Sequence, residues 1–212
     1  MKKLTWSQIE EMSDTEITYL LYLEGKDIKT ICRIRGIDRV DAERHIIEGK
    51  IKYRIFEGTK NTEDIVKRLL RCHKDERQNA LKIMGTQDIK KLERYALENL
   101  YTSTRDECLF YIWLLGEIKS KDAVQAIITF LRCRDGNIKR ICCSALGKIG
   151  DLRAEDSLIL CLDENRTQIK EYAIKALGRI KSKKALERLK KISLDENERD
   201  YIKRLQILPL MR

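Results

Sequence analysis

Leu146-Gly147-Lys148-Ile149-Gly150-Asp151-Leu152-Arg153-Ala154 is the stretch on which the fold turns, because much of it recurs at a fixed interval. Leu115-Gly116-Glu117-Ile118 stands upstream of it and Leu177-Gly178-Arg179-Ile180 downstream, so that Leu115, Leu146 and Leu177 are evenly spaced. An alanine follows each copy at the same offset, at Ala123, Ala154 and Ala185. A fainter copy, Met84-Gly85, continues the series by one more interval toward the N-terminus. Self-similarity at a fixed period of this size is the signature of stacked repeats.

Each unit around the motif reads as two helices. In the second unit, Leu109, Ile112 and Leu115 mark one face of a first helix over about 104–118, and Ala123, Ile127 and Leu131 mark a second helix. The third unit repeats this with Ile138, Ile141, Ala145 and Ile149, then Ala154, Leu158 and Leu162. The fourth does so with Ile169, Ala173, Ala176 and Ile180, then Ala185, Leu189 and Ile192. A terminal helix is expected from about Glu198, with Tyr201, Ile202, Leu205 and Leu208 on one face and Pro209 as its stop. A helix pair cannot bury such a stripe alone, whereas stacking pairs side by side buries it continuously. The motif glycine either permits close helix packing or relaxes the helix C-terminus.

Composition agrees with an all-α chain. One proline and ten glycines leave little material for many strand turns, and 42% apolar residues suffice for a packed core. No apolar run is long enough to suggest a membrane span. The absence of an apolar stretch after Lys2 and Lys3 gives no secretory signal, so a cytoplasmic protein is expected. The seven cysteines are scattered, none in C-x-x-C spacing, and read as reduced, mostly buried residues. His45 and His73 are the only histidines, and the sequence implies no metal site and no cofactor. Phosphate-binding and nucleophile-elbow glycine motifs are absent, so no enzyme is expected and no catalytic residue is assigned.

Three segments emerge: a helical module over 1–57, a linker helix over 58–74 and the repeat array with its capping helix over 75–212. In the first, Ser13 with Glu16 forms a capping-box pattern, Asp27 opens a short helix, and Gly36-Ile37-Asp38 leads into a third that Gly49 interrupts. The run Ile31-Cys32-x-Ile34-x-Gly36-Ile37-Asp38-x-x-x-Ala42-x-x-His45-Ile46 resembles the helix-turn-helix of LuxR-type and sigma-factor-like regulators. That resemblance implies a DNA-reading second helix, for which Arg39 and Arg44 are the candidates. Asp41, Glu43 and Glu48 on the same helix oppose phosphates and favour a module that only caps the array. His45 falls on the apolar side of this helix and reads as a packed residue.

The full motif Leu-Gly-x-Ile-Gly-Asp-x-x-Ala is similar to the short bacterial HEAT repeats, often called phycobilisome-lyase-like. The resemblance covers about residues 75–194 and departs from the pattern where Lys119-Ser120 and Lys181-Ser182 replace Gly150-Asp151. It implies a right-handed α-solenoid of HEAT-like helix pairs that binds a protein partner on a curved surface lined by second helices. It does not carry over a bilin site, because no chromophore residues are marked.

Charge supplies the alternative. The net charge is +10, and residues 166–212 hold 14 basic against 6 acidic side chains. Lys183, Lys184, Arg188, Lys190 and Lys191 on the last second helix, extended by Lys203 and Arg204, form a candidate surface for a partner or a polyanion such as nucleic acid. HEAT-like alkylpurine DNA glycosylases offer an outline precedent, but no aromatic–acid constellation matches theirs; Trp113 reads as core. The clearest variation between copies is the basic swing of the fourth unit, from Ala126 and Ser157 to Arg188 and from Ile128 and Ile159 to Lys190.

Overall fold

A computed structural model describes residues 4–194 together with Arg199, Tyr201 and Ile202. Among the described residues there are twelve α-helices and no strand. The protein is an all-α, HEAT-like chain made of two compact units, Met1–Leu92 and Glu93–Arg212. The expected terminal helix from about Glu198 lies mostly outside the described residues.

A 3-10 helix, Trp6–Glu11, precedes α1 (Asp14–Leu23), whose capping box joins the Ser13 side chain to the Glu16 amide and the Glu16 carboxylate to the Ser13 amide. Asp27 caps α2 (Ile28–Arg35), and Asp38 caps α3 (Arg39–Ile51). Gly36 turns the chain between them at φ 65°, a left-handed value that glycine adopts without a Cβ penalty. Leu21, Ile31, Ala42 and Ile46 form the core of this trio. Gly49 does not interrupt α3. It sits where an added Cβ would lie 2.5 Å from Tyr19 Cβ, so it lets α1 approach closely. The helix then runs on through a π-helical turn, Lys52–Phe56.

Helices α4 (Thr62–Leu70) and α5 (Lys74–Ile83) belong to the same unit. Two arginines fasten them. Arg68 donates to the Glu57 carbonyl at 2.6 Å, and Arg77 donates to the Leu69 and Leu70 carbonyls, both at 2.8 Å. The degenerate repeat copy departs from the others here. Helix α5 stops at Ile83, Met84 is extended, and a Cβ on Gly85 would meet nothing within 4 Å. Helix α6 (Thr86–Asn99) follows, and the division between units falls within it.

The second unit holds three helix pairs: α7 (Arg105–Glu117) with α8 (Val124–Phe130), α9 (Gly136–Ile149) with α10 (Glu155–Leu160), and α11 (Thr167–Arg179) with α12 (Leu186–Leu194). Leu115, Leu146, Leu177 and the alanines Ala123, Ala154 and Ala185 are all fully buried. The motif glycine has a packing cause. A Cβ on Gly116 would lie 2.7 Å from the Ala145 Cα, and one on Gly147 would lie 2.8 Å from the Ala176 Cα. Glycine on one first helix faces alanine on the next, and this lets α7, α9 and α11 approach backbone to backbone.

The turns differ in residue type but share a left-handed residue; the Gly150 amide donates to the Leu146 carbonyl. Gly150 is left-handed at φ 75°, and Lys119 and Lys181 take the same region at φ 56° and 55°. Around Lys119 the amides of Lys119 and Ser120 donate to Gly116 and Leu115 carbonyls; around Lys181 the amides of Lys181 and Ser182 donate to Gly178 and Leu177. This is the Schellman closure of a helix C-terminus. Ser120 and Ser182 then accept from the amides of Ala123 and Ala185, while Asp151 accepts from Arg153, so all three cap the segment that follows. The Lys-Ser replacements therefore preserve the turn.

Candidate partner-binding surface

The interior of the second unit is taken up by stacking, so a binding surface must come from what the second helices leave outside. Positions spaced by four along each second helix and the turn that leads into it give an outward strip: Lys121, Gln125 and Thr129; Leu152, Asp156 and Leu160; Lys183, Glu187 and Lys191. All nine are exposed, and each stands one repeat interval from its counterpart in the next strip. Neighbouring strips are tied laterally. Arg153 donates to the Lys121 carbonyl at 2.8 Å, and Lys184 Nζ lies 3.1 Å from Asp156.

The expected basic face is largely neutralised. Lys184 pairs with Asp156 and Glu155, Arg188 with Asp163, and Lys190 with Glu187 at 3.0 Å. Asp156 holds the Lys184 ammonium above its ordinary range. Lys183 and Lys191 are exposed and have no carboxylate partner among the described residues. Lys203 and Arg204 lie outside the described residues. The five described cations share one short segment, and among the described residues two of them, Lys183 and Lys191, have no carboxylate partner.

The arginines of the N-terminal module are also occupied. Arg39 donates to Glu43 at 2.8 Å; Arg44 donates to Asp41 at 2.8 Å and lies 3.5 Å from Glu48. These carboxylates hold both guanidiniums above their ordinary range. All the bonds lie within α3, so the acids that oppose phosphate also engage the two side chains meant to reach it. The same helix exposes Val40 at 73% and Ile47 at 40%. His45 is buried, with Nδ1 3.2 Å from the Thr18 hydroxyl and Nε2 3.3 Å from Arg44.

Most other groups with chemical potential are held inert; the Cys161 thiol is lowered by its bond with Cys143, but it is buried. Cys142 and Cys143 are fully buried. Burial pushes the Cys142 thiol well above its ordinary range; the bond to Cys161, then burial, does the same for Cys143. Burial also raises Cys72 and Cys108, the direction opposite to that of a thiolate nucleophile. Among the described residues no group of three or more His, Cys, Asp or Glu side chains could hold a metal ion. Trp113 is half-buried, not core. It takes the position that Ser144 and Lys175 occupy in the following first helices, and its ring packs 5.8 Å from Phe110.

Residues 169–195, which comprise most of α11 and all of α12, match a family model. The match is to the PBS lyase HEAT-like repeat. The HEAT-like repeat thus coincides with the fourth copy of the motif, and the match covers none of residues 1–57. No curated protein matches the chain. Sequence reasoning missed Leu152 and Leu160, exposed at 61% and 71%. Their signal was present: the other two copies carry Lys121 and Lys183, and Thr129 and Lys191, at the equivalent positions.

Proposed function

We propose that the chain is a non-enzymatic scaffold that binds a protein partner through the exposed surface of its HEAT-like repeats. The observation that carries this reading is the separation of roles within each repeat. The motif leucines and alanines are buried and Gly116 and Gly147 face alanines of the next first helix, while the outward strip varies from copy to copy and exposes leucine in the third. Exposed leucines rimmed by polar groups are the chemistry of a protein contact. A HEAT-like repeat is a common support for such contacts. The raised, buried thiols of Cys142 and Cys143 agree with the non-enzymatic part of the reading, and the same reading puts the chain in the cytoplasm.

A second reading, nucleic-acid binding or transcription regulation, is favoured by one observation: the charge of +10 and its concentration in residues 166–212. It would use the helix-turn-helix-like module with Arg39 and Arg44 and the basic C-terminal face. The pairing of these arginines with Asp41, Glu43 and Glu48 supports the first reading over this one.

Fluorescence anisotropy with a generic duplex DNA, at about 50 mM and about 200 mM salt, separates the two. The scaffold reading expects only weak binding at the lower salt, unchanged by Arg39→Ala with Arg44→Ala. Tight binding that these substitutions abolish would overturn it in favour of the second reading. Tight binding lost instead in Lys183→Glu, Lys184→Glu, Lys191→Glu would locate the polyanion site on the last second helix.

A further inference from the structure

We infer that the outward strips of α8, α10 and α12 dock an acidic amphipathic segment of a partner protein, with its apolar anchors on Leu152 and Leu160 and its carboxylates on Lys121, Lys183 and Lys191. This rests on the scaffold reading and adds to it a surface and a partner chemistry.

Register makes the surface. Leu152 and Leu160 stand on the middle strip, Lys121 precedes Leu152 by one repeat, and Lys183 and Lys191 follow Leu152 and Leu160 by one repeat. The bonds from Arg153 to the Lys121 carbonyl and from Lys184 to Asp156 show that the strips are immediate neighbours. The result is two exposed leucines, with the Lys184-paired Asp156 between them, and cations on both sides.

Charge selects the occupant. The acids of these strips are already engaged, Asp156 by Lys184 and Glu187 by Lys190. Lys121, Lys183 and Lys191 have no carboxylate within ion-pairing distance among the described residues and outnumber Asp122, the exposed acid beside Lys121, so the unpaired charge around the leucines is net positive. A basic or neutral apolar segment would leave these cations uncompensated or repelled. A phosphate backbone would satisfy them but gains nothing from two leucines at the centre, which it would keep wet. An acidic segment with leucine or aromatic anchors meets both demands.

Spacing fixes the length. Leu152 and Leu160 are eight positions apart on a nearly continuous helical stretch, about 12 Å along its axis at roughly 1.5 Å per residue. A partner helix with apolar residues two turns apart spans that distance, and so does an extended segment with anchors about four residues apart.

The test uses the full chain and fluorescein-labelled peptides. The probe is a helical glutamate-rich peptide with leucines two turns apart; the controls are a leucine-free polyglutamate of equal charge and a duplex DNA. The expected result is saturable binding of the probe, weakened about tenfold or more by Leu152→Ser with Leu160→Ser and again by Lys183→Glu with Lys191→Glu, with both controls about tenfold weaker. Both pairs are exposed, and unchanged circular dichroism shows that the variants remain folded. Equal binding of polyglutamate or DNA, or indifference to the leucine substitutions, would overturn the inference. A second arm places a photocrosslinking amino acid at position 160 or position 175 in the native host. A protein adduct at 160 that Lys183→Glu with Lys191→Glu removes agrees with the peptide result. Adducts at 175 alone leave the scaffold reading standing and defeat this surface, and no adduct at either position defeats both.

Discussion

Replacing Gly147 by alanine tests the packing account at its tightest point. The new methyl would lie 2.8 Å from the Cα and 2.9 Å from the Cβ of Ala176. Carbon atoms sit comfortably at roughly 3.5–4.0 Å, so α9 and α11 must separate by about 0.7 Å or more over their contact. The obstacle is backbone, which cannot rotate away as a side chain can. Overpacking of this kind costs about 1–3 kcal/mol. Alanine regains about 1 kcal/mol of helix propensity, so the net loss is about 0–2 kcal/mol. Gly136→Ala is the matched control, on the same helix. Its nearest neighbour is the Arg166 guanidinium, the far end of a flexible side chain, and the expected change is within about 0.5 kcal/mol of zero. Urea unfolding followed by circular dichroism reads both variants. If Gly147→Ala is more stable than the parent, the glycine is not there for close approach and the explanation of the repeat is wrong.

The left-handed turns make the opposite prediction. Lys119→Gly and Lys181→Gly relieve positive φ and should each stabilise the protein by about 0.5–1 kcal/mol in the same assay; destabilisation would show that the lysine side chains hold the turn. Bonds from Lys52, then Tyr53, lower the Glu16 carboxyl from the ordinary 4.5 to about 2. A depressed carboxylate stabilises above its unfolded value, and that stability is lost as pH falls between about 4.5 and 2. Glu16→Gln should therefore cost on the order of 1 kcal/mol at pH 7 and little at the acid end of that window, and a penalty constant with pH would contradict the assignment. Of the seven cysteines, Cys32 and Cys133 are half-exposed and the other five are buried, so a thiol reagent should modify two quickly and the rest only on unfolding. Rapid native labelling of Cys142 or Cys143 would refute their burial.

The repeat is legible in the sequence because its physics is local and periodic. Leu146, Gly147 and Ala154 recur at fixed offsets, and each is buried as the stripe demands. The role of the glycine is not settled by sequence, since its cause is a contact with Ala145 or Ala176 on the following first helix. Nor is the conformation of Lys119 and Lys181. Side-chain chemistry disfavours left-handed turns there, and only the hydrogen bonds to the preceding helix show them. Gly49 reads in sequence as an interruption because its reason, the Tyr19 ring, belongs to α1, two helices earlier. The basic face is charge counted along the chain. In space Asp156 and Asp163, from the previous repeat, and Glu187 take up three of its cations. Leu152 and Leu160 are visible as variation between copies, but only their exposure separates them from the buried leucines of the same helices.

The most direct test of the scaffold account is recovery of the tagged full chain from its native host, with and without nuclease treatment. The account predicts a protein partner near equal stoichiometry that survives nuclease and is depleted when Leu152→Ser and Leu160→Ser are introduced. Recovery of nucleic acid alone, or of a partner lost on nuclease treatment and indifferent to the two leucines, would contradict it.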